Sequence, residues 1–204
     1  MEPSVFPRGI SFPDENVITG IRTDIRDSQY ASNMTLVPEK AIALALEELA
    51  STSGVSNYAH YQDEKPSGTH GGSFYSGAWR TRTLNTTKKQ IGDKISRTDD
   101  TITLEPGTYR IIAKAPAADV DEHKARFRNI TDNVTEIYGT SQYTALWSVV
   151  STSDICGYVT VETDSKDFQV QHRCDYTVTN DGFGRACSFD EVEIYTSIII
   201  EKVG

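Results

Sequence analysis

A strict two-residue alternation near the carboxyl end is the feature that most constrains how this chain folds. In the segment FQVQHRCDYTV, residues 168–178, the even positions are Phe, Val, His, Cys, Tyr and Val, and the odd positions are polar. Successive side chains of a β-strand point to opposite faces, so the pattern predicts a strand with one buried and one solvated face. His172 then lies in the core. His172 and Cys174 would supply half of a metal site, but no second pair is visible, so we expect no metal.

Similar runs of Thr, Val, Ile, Tyr and Phe recur between turn residues from position 72 to position 204. This recurrence predicts an all-β domain, an antiparallel sandwich or jelly roll. Turn chemistry is supplied by Asp99-Asp100, Glu105-Pro106-Gly107 and Asn180-Asp181-Gly182. The predicted strands cover residues 73–83, 101–104, 107–115, 124–130, 144–151, 155–162, 168–178 and 192–203.

The last predicted strand differs from the others because both of its faces carry apolar side chains. These are Val192, Ile194, Ile198 and Ile200 on one face, and Tyr195, Ile199 and Val203 on the other. A strand that is apolar on both faces is buried on both. We therefore expect Tyr195, Ile199 and Val203 to meet another subunit, and the alternative is that a helix or loop of the same chain covers them.

The residues before the β domain divide into three regions. Residues 1–37 contain Pro, Asp and Asn with scattered apolar residues, which predicts an extended arm that orders on a partner. Residues 38–53, beginning PEKAIALALEELA, predict a short helix with a stripe of Ile42, Ala45, Leu46 and Leu49. This helix either docks on its own chain or forms a short parallel bundle at an oligomer axis. Residues 54–71 are punctuated by Gly and Pro and predict a linker.

Composition excludes several classes of partner. The chain has 204 residues with 20 Lys and Arg against 29 Asp and Glu, a net charge of -9, so nucleic acid is not an expected partner. No run of roughly 20 apolar residues is present, so membrane insertion is not expected. The first residues lack a basic start followed by an apolar run, which predicts no signal peptide and synthesis in a reducing cytoplasm.

The cysteines and the remaining histidines are interpreted as structural. Three cysteines without zinc-type spacing predict free thiols, although Cys174 and Cys187 flank a turn and could pair in an oxidising environment. His60 and His70 fall in the predicted linker and His123 in the polar DVDEHK segment, so all three are expected to be exposed loop residues.

The sequence shows no motif of a familiar enzyme class: no Gly-x-Ser-x-Gly, no phosphate-binding loop and no His-Glu-x-x-His. Acidic residues cluster beside predicted turns, where solvated charge is the simplest interpretation. They are Asp99, Asp100, Asp119, Asp121, Glu122, Asp190 and Glu191. The 119–122 loop offers oxygen ligands for calcium but lacks the spacing and glycine of a dedicated site, so no cofactor is expected.

The segment TITLEPGTYRIIAKAPA, residues 101–117, resembles the strand-turn-strand signature of tumour-necrosis-factor-like jelly rolls, which include the globular head of complement component one q. FQVQHRCDYTV and GFGRACSFDEVEIYTSIIIEKV resemble the closing strands of versions found in bacteriophage fibre and decoration proteins. Trp79 falls where such domains have an early aromatic strand. The resemblance covers residues 72–204 and implies a threefold trimer with its terminal strands near the axis.

The leading hypothesis is therefore a non-enzymatic virion structural protein made in the host cytoplasm. It is a homotrimeric fibre, spike or decoration protein, anchored to capsid or tail proteins by residues 1–37, with an outward jelly roll that meets a host-surface glycan or protein. The alternative is a freestanding lectin-like or complement-like binding module. A polysaccharide hydrolase on a β scaffold is the third hypothesis.

Overall fold

The computed structural model describes residues 56–145 and 149–204, and these residues form two antiparallel β-sheets. The predicted arm at 1–37 and the predicted helix at 38–53, with its stripe of Ile42, Leu46 and Leu49, lie outside the described residues. Among the residues described, no helix has the length and apolarity needed to cross a membrane.

The strands follow one another through short turns and a few longer loops. In chain order they are β1 Tyr58–Lys65, β2 Arg80–Thr81, β3 Thr86–Ile91, β4 Ile95–Thr98, β5 Thr101–Leu104, β6 Gly107–Ala118, β7 Asp121–Asn129, β8 Val134–Thr144, β9 Val150–Val161, β10 Lys166–Cys174 and β11 Glu193–Lys202.

The order of the strands identifies a jelly roll. One sheet has the order β3-β1-β11-β6-β9, and the other β4-β5-β10-β7-β8, with β2 also paired to β10. When β2, β3 and β4 are set aside, the remaining eight strands, counted in chain order, lie 1-8-3-6 in one sheet and 2-7-4-5 in the other. This interleaving of two four-stranded sheets confirms the predicted all-β antiparallel jelly roll.

The principal core fills the space between the two sheets, because each long strand turns alternate side chains inward. In β6 the residues at 109, 111, 113, 115 and 117 are all buried. Phe127 of β7 and Phe168 of β10 stack with their ring centroids 5.0 Å apart and are fully buried. A second, smaller cluster consists of Phe74, Ala117, Val120 and Cys174, against which Val178 and Phe183 pack.

The structure corrects three of the predicted boundaries. Residues 58–65, predicted as linker, form β1, which pairs with β11 on one side and β3 on the other. Most of 73–83, predicted as a strand, is irregular: it has the two-residue β2 and one isolated bridge between Phe74 and Val178. No strand was predicted over β8, and the strand predicted at 144–151 contains only the last residue of β8 and the first two of β9. β1 and β8 were missed because their sequences do not alternate clearly between apolar and polar residues.

The last strand contains a bulge that reverses its alternation. Gln62 of β1 lies opposite Ser197, and Glu64 lies opposite Ile194, so two steps along β1 match three along β11. An extra residue in one strand turns the following side chains to the other face. Tyr195 is consequently buried together with Ile198 and Ile200, although an unbroken alternation would place it on the opposite face.

Candidate assembly and binding surfaces

The predicted interface residues do not share one face. Tyr195 is only 6% exposed, and its hydroxyl donates to the carbonyl of Thr69 over 2.7 Å. Its ring packs against Gly184, whose φ of +136° and close approach leave no room for a Cβ. Ile199 is half-buried, and Val203 is exposed at the end of the strand. The bulge therefore makes the placement of Tyr195 on an outer face wrong, because the residue belongs to the interior of its own chain.

The outer surface of the five-stranded sheet, here called the five-stranded outer face, combines apolar and polar side chains in cross-strand rows. One row consists of His60, Ile199, Ile112 and Cys156, each the register partner of the next. The neighbouring row consists of Tyr58, Glu201, Arg110 and Tyr158. Ile112 of β6 and Ile199 of β11 lie side by side. These two strands are inside the sheet, with β1 and β3 on one side and β9 on the other, so an apolar strip runs across the middle of this face.

Two histidines form a buried pair between the sheets. The Nδ1 atom of His123 lies 2.9 Å from Nε2 of His172, and His123 Nε2 lies 2.8 Å from the Ser151 hydroxyl. His172 is fully buried, as predicted. His123 is 3% exposed and lies in β7, so its prediction as an exposed loop residue is wrong. The alternation of His123, Ala125 and Phe127 was the sequence signal that could have placed it inside.

The histidine pair is uncharged at neutral pH. Burial, with a further contribution from the nearby charge of Arg82, lowers the pKa of His123 to about 4. The pKa of His172 is also well below its usual value, first because of burial and then because of Arg82 and His123. One ring can donate to the other only while the accepting nitrogen is unprotonated. Protonation of both rings would break their mutual hydrogen bond.

A fully buried arginine lies near this pair. Arg82 is 1% exposed; its guanidinium donates to Thr196 Oγ1 over 2.6 Å and to the carbonyls of Pro116 and Phe183, each over 3.1 Å. It also lies 4.1 Å from the ring centroid of Phe183. Burial lowers its pKa to about 9, so it remains charged at neutral pH. Sequence reasoning missed Arg82, because an arginine among polar residues is usually exposed.

Several acidic residues serve the fold through hydrogen bonds. Asp119 accepts from Arg185 over 2.7 Å and from the amide of Val149 over 3.1 Å, and Asp100 accepts from the amide of Leu84. Asp119 is therefore buried and paired, which corrects its interpretation as solvated turn charge. Within the described ranges, no group of three or more His, Cys, Asp or Glu is arranged to hold a metal ion.

Glu193 fixes two loops at the start of β11. Its carboxylate accepts hydrogen bonds from three backbone amides, those of Gly68, Cys187 and Ser188, over 2.8 to 3.1 Å. These bonds, with those from Cys187 and Ser188 contributing most, lower the pKa of Glu193.

Cys187 is exposed and Cys174 is buried, and both are free thiols. Burial raises the pKa of Cys174 to about 11, which makes it a poor nucleophile.

The outer surface of the six-stranded sheet contains a cleft, here called the β7–β10 cleft, with a volume of about 370 Å³. Its lining includes Trp79, Lys124, Gln142 and Arg173. Trp79 precedes β2 and lies beneath the guanidinium of Arg126, whose central carbon is 4.0 Å from the ring centroid. The cleft therefore brings together aromatic, cationic and amide groups from three neighbouring strands, β8, β7 and β10, and from the segment before β2.

No protein-family model matches the chain, and no curated protein matches it in sequence. Solved structures with a similar fold include murine APRIL at pH 5.0, with 8% identity, a TM-score of 0.48, and coverage of 72% of this chain and 98% of that one. The globular domain of zebrafish complement 1qA has 11% identity and a TM-score of 0.47 over 73% and 98% of the two chains. The PRD1 vertex protein P5 has 13% identity and a TM-score of 0.46 over 74% and 99%.

These likenesses concern the fold alone. The strand order independently establishes two interleaved antiparallel sheets. The chain is thus an antiparallel jelly roll by its own strand order.

Proposed function

We propose that this chain is a non-enzymatic virion structural protein that works as a homotrimer. Residues 1–37 anchor it to capsid or tail proteins, and the jelly roll faces outward as a fibre head, spike or decoration domain. The single observation that carries the assembly proposal is the apolar strip of Ile112 and Ile199 across the five-stranded outer face.

The strip supports assembly because it lies where a lone sandwich should be polar. The outer face of an antiparallel sheet that meets water normally carries polar side chains. Here Ile112, Ile199 and Cys156 are register partners on three adjacent strands, and Tyr158, which is 64% exposed, lies in the next row. Ile112 and Ile199 are each half-buried in the single chain. Contiguous, partly exposed apolar groups with aromatic neighbours are typical of protein interfaces. A second copy of the chain is the partner that the sequence resemblance implies.

The assembly proposal is tested by sedimentation velocity of the full chain and an Ile199→Lys variant. The wild type should sediment as a trimer, and a buried lysine without a partner should raise the concentration needed for assembly by about tenfold or more. The matched control is Ile130→Lys, at a residue that is 38% exposed just after β7 and outside the row. A monomeric wild type, or equal loss of assembly in both variants, would contradict the proposal.

Anchoring is tested separately by removing residues 1–37 and measuring incorporation into particles. The truncated chain should still assemble in solution but should be missing from purified virions. Truncated protein that enters particles as well as wild type would show that the arm is not the anchor.

A freestanding binding module remains the second candidate, and the β7–β10 cleft is the observation that favours it. Immunogold electron microscopy of particles separates the two roles, because only a structural protein is present at regular virion positions.

A polysaccharide hydrolase has less support. Two of its candidate acids, Asp100 and Asp119, accept hydrogen bonds from backbone amides, and Asp119 also accepts one from Arg185.

A further inference from the structure

Strand β7 presents cations at three successive alternate positions on the outer surface of the six-stranded sheet. These residues are Lys124, Arg126 and Arg128, spaced roughly 7 Å apart as alternate residues of a strand. On the neighbouring strand β10, Arg173 is the register partner of Lys124. Four positive charges therefore lie together on two adjacent strands.

None of these four cations has a carboxylate within 4.0 Å among the described residues, although other basic residues do form ion pairs there. The paired ones are Lys65, Lys88, Lys94, Arg110, Lys166 and Arg185. Other described cations, such as Lys89 and Lys114, also have no carboxylate this close, so these four are distinguished by lying together on two adjacent strands. Glu122 and Asp175 line the same cleft as Lys124 and Arg173, but among the described residues they do not form ion pairs with these cations.

The arrangement costs stability in the free protein. Like charges directly opposite each other on neighbouring strands are destabilising, and Lys124 faces Arg173 in this way. The pKa of Arg126 is lowered, first by burial and then by the charge of Arg128. An anion bound at this surface would relieve both repulsions.

The arginine beside the cleft is already fixed in place. Arg126 donates through Nε and Nη2 to Gln171 Oε1, over 3.0 and 2.7 Å, while its guanidinium lies over the Trp79 ring. A guanidinium held in one plane loses less entropy when a carboxylate binds it. Lys124 is similarly close to an aromatic ring, with Nζ 5.4 Å from the Tyr138 centroid.

Acidic and uncharged polar side chains also line the cleft. Glu122 and Asp175 contribute to its lining together with Ser141 and Gln142, so acceptors for hydroxyl groups lie beside the cations. The cleft volume of about 370 Å³ falls in the range of small-ligand sites. A ligand that contains both negative charge and several hydroxyls can satisfy every group here.

We propose that the β7–β10 cleft binds an acidic oligosaccharide, whose carboxylates meet Arg173, Lys124 and the adjacent arginines and whose hydroxyls donate to Glu122 and Asp175. Single-stranded nucleic acid fits less well. Its bases need an aromatic face on which to stack, and the face of Trp79 at this cleft is covered by Arg126. The proposal concerns one subunit and holds whether or not the chain assembles as a trimer.

The test is isothermal titration of the full chain with oligogalacturonate, a chain of uronic acids, and with its neutral methyl ester. Wild type should bind the acid, and the neutral ester should bind about tenfold more weakly or worse, because each charge-assisted hydrogen bond is lost. The double variant Lys124→Gln/Arg173→Gln should lose a similar factor. Its melting temperature should be equal to or above that of wild type because a like-charge pair is removed, which excludes unfolding as the cause.

The matched control is Lys89→Gln/Lys114→Gln, which removes two cations from the other sheet, on β3 and β6. This control should bind the acidic oligosaccharide like wild type. The proposal is overturned by failure of wild type to bind, by equal binding of acid and ester, or by equal losses in both double variants. Tighter binding of oligothymidylate than of oligogalacturonate would overturn it in favour of a nucleic-acid site.

Discussion

The principal core and the second cluster of this jelly roll are stabilised in different ways. The principal core consists of aliphatic and aromatic side chains, such as the stacked Phe127 and Phe168. Around the second cluster, Phe74 packs against the ring of His172 at 4.8 Å and against Phe183, which also contacts the guanidinium of Arg82. The first region depends on apolar burial, whereas the second combines aromatic packing with buried polar groups, of which His172 Nδ1 has no hydrogen-bond partner among the described residues. The pH dependence of folding should therefore originate mainly in the second.

Truncation in the principal core should have the largest effect. Phe127→Ala should lower the free energy of unfolding by about 3 to 5 kcal/mol, because it removes a fully buried ring and leaves a cavity. Urea denaturation at neutral pH measures this loss. Tyr138→Ala, at a ring that is 63% exposed on the neighbouring strand, is the control and should change stability much less. Equal losses in the two variants would contradict the assignment of Phe127 to the core.

Substitution of the buried Arg82 should cause the second-largest loss of stability. Arg82→Met keeps much of the volume but leaves the carbonyls of Pro116 and Phe183 and the Thr196 hydroxyl without a donor. Unsatisfied buried polar groups of this kind should cost about 2 to 4 kcal/mol in total. The same denaturation measurement applies, with the less buried Arg80→Met as control. Unchanged stability of Arg82→Met would show that apolar packing alone suffices in the second cluster.

Acidification should weaken the protein through the histidine pair. An unfolded histidine takes up a proton near pH 6.5, whereas His123 in the folded state resists protonation down to a pKa of about 4. The contribution of neutral His123 to the free energy of unfolding is therefore fully present above pH 6.5. It is lost as the pH falls towards 4, and it changes little below pH 4. Across this window the loss should be roughly 2 to 3 kcal/mol.

This loss is measured as the slope of unfolding free energy against pH between 5 and 7, where most carboxylates stay ionised. His123→Gln should reduce the slope. The pKa of His60 is also lowered, mainly by burial, so His60→Gln should reduce it less, because His60 is only half-buried. A slope that both variants leave unchanged would place the proton uptake elsewhere.

The smallest effect should follow Glu193→Gln. The neutral amide is a weaker acceptor for the three backbone amides than the carboxylate, so the melting temperature at pH 7 should fall. Because the pKa of Glu193 is lowered in the folded state, the contribution is present above its usual pKa and disappears as the pH falls through the folded value. Wild type and variant should therefore converge in acid. A constant difference at all pH values would contradict this charge-dependent role.

Much of the fold could be predicted from the sequence because its central strands alternate clearly. β5 was located to the residue, β6 extends three residues beyond its predicted end, and β10 begins two residues earlier and ends four residues earlier than predicted. All three lie between other strands. β1 and β8 could not be found in this way. β8 is at the edge of its sheet, and its outward residues face water, so Ile137 is one of the few apolar residues that mark it.

The surfaces were harder to predict than the fold, for reasons that depend on pairing. The burial of Tyr195 follows from a bulge that only the partner strand β1 reveals, and β1 was itself interpreted as linker. The cation row of β7 was visible in KARFR, but its meaning depends on Arg173, almost fifty residues later, lying opposite Lys124. Interstrand register is a tertiary property, so no local pattern specifies it.

The pairing of β1 with β11 has a mechanical consequence. Tyr58 lies opposite Glu201, and the amide of Lys202 donates to the carbonyl of Asn57 over 3.0 Å, so the two ends of the described domain leave it side by side. Tension applied between these ends would open the two antiparallel strands one hydrogen bond at a time, as a zipper opens. Tension between Asn57 and a loop at the far end of the sandwich would instead load the β1 hydrogen bonds together in shear. The domain should therefore unfold at a lower force when it is pulled by its two ends than when it is pulled between Asn57 and the far loop.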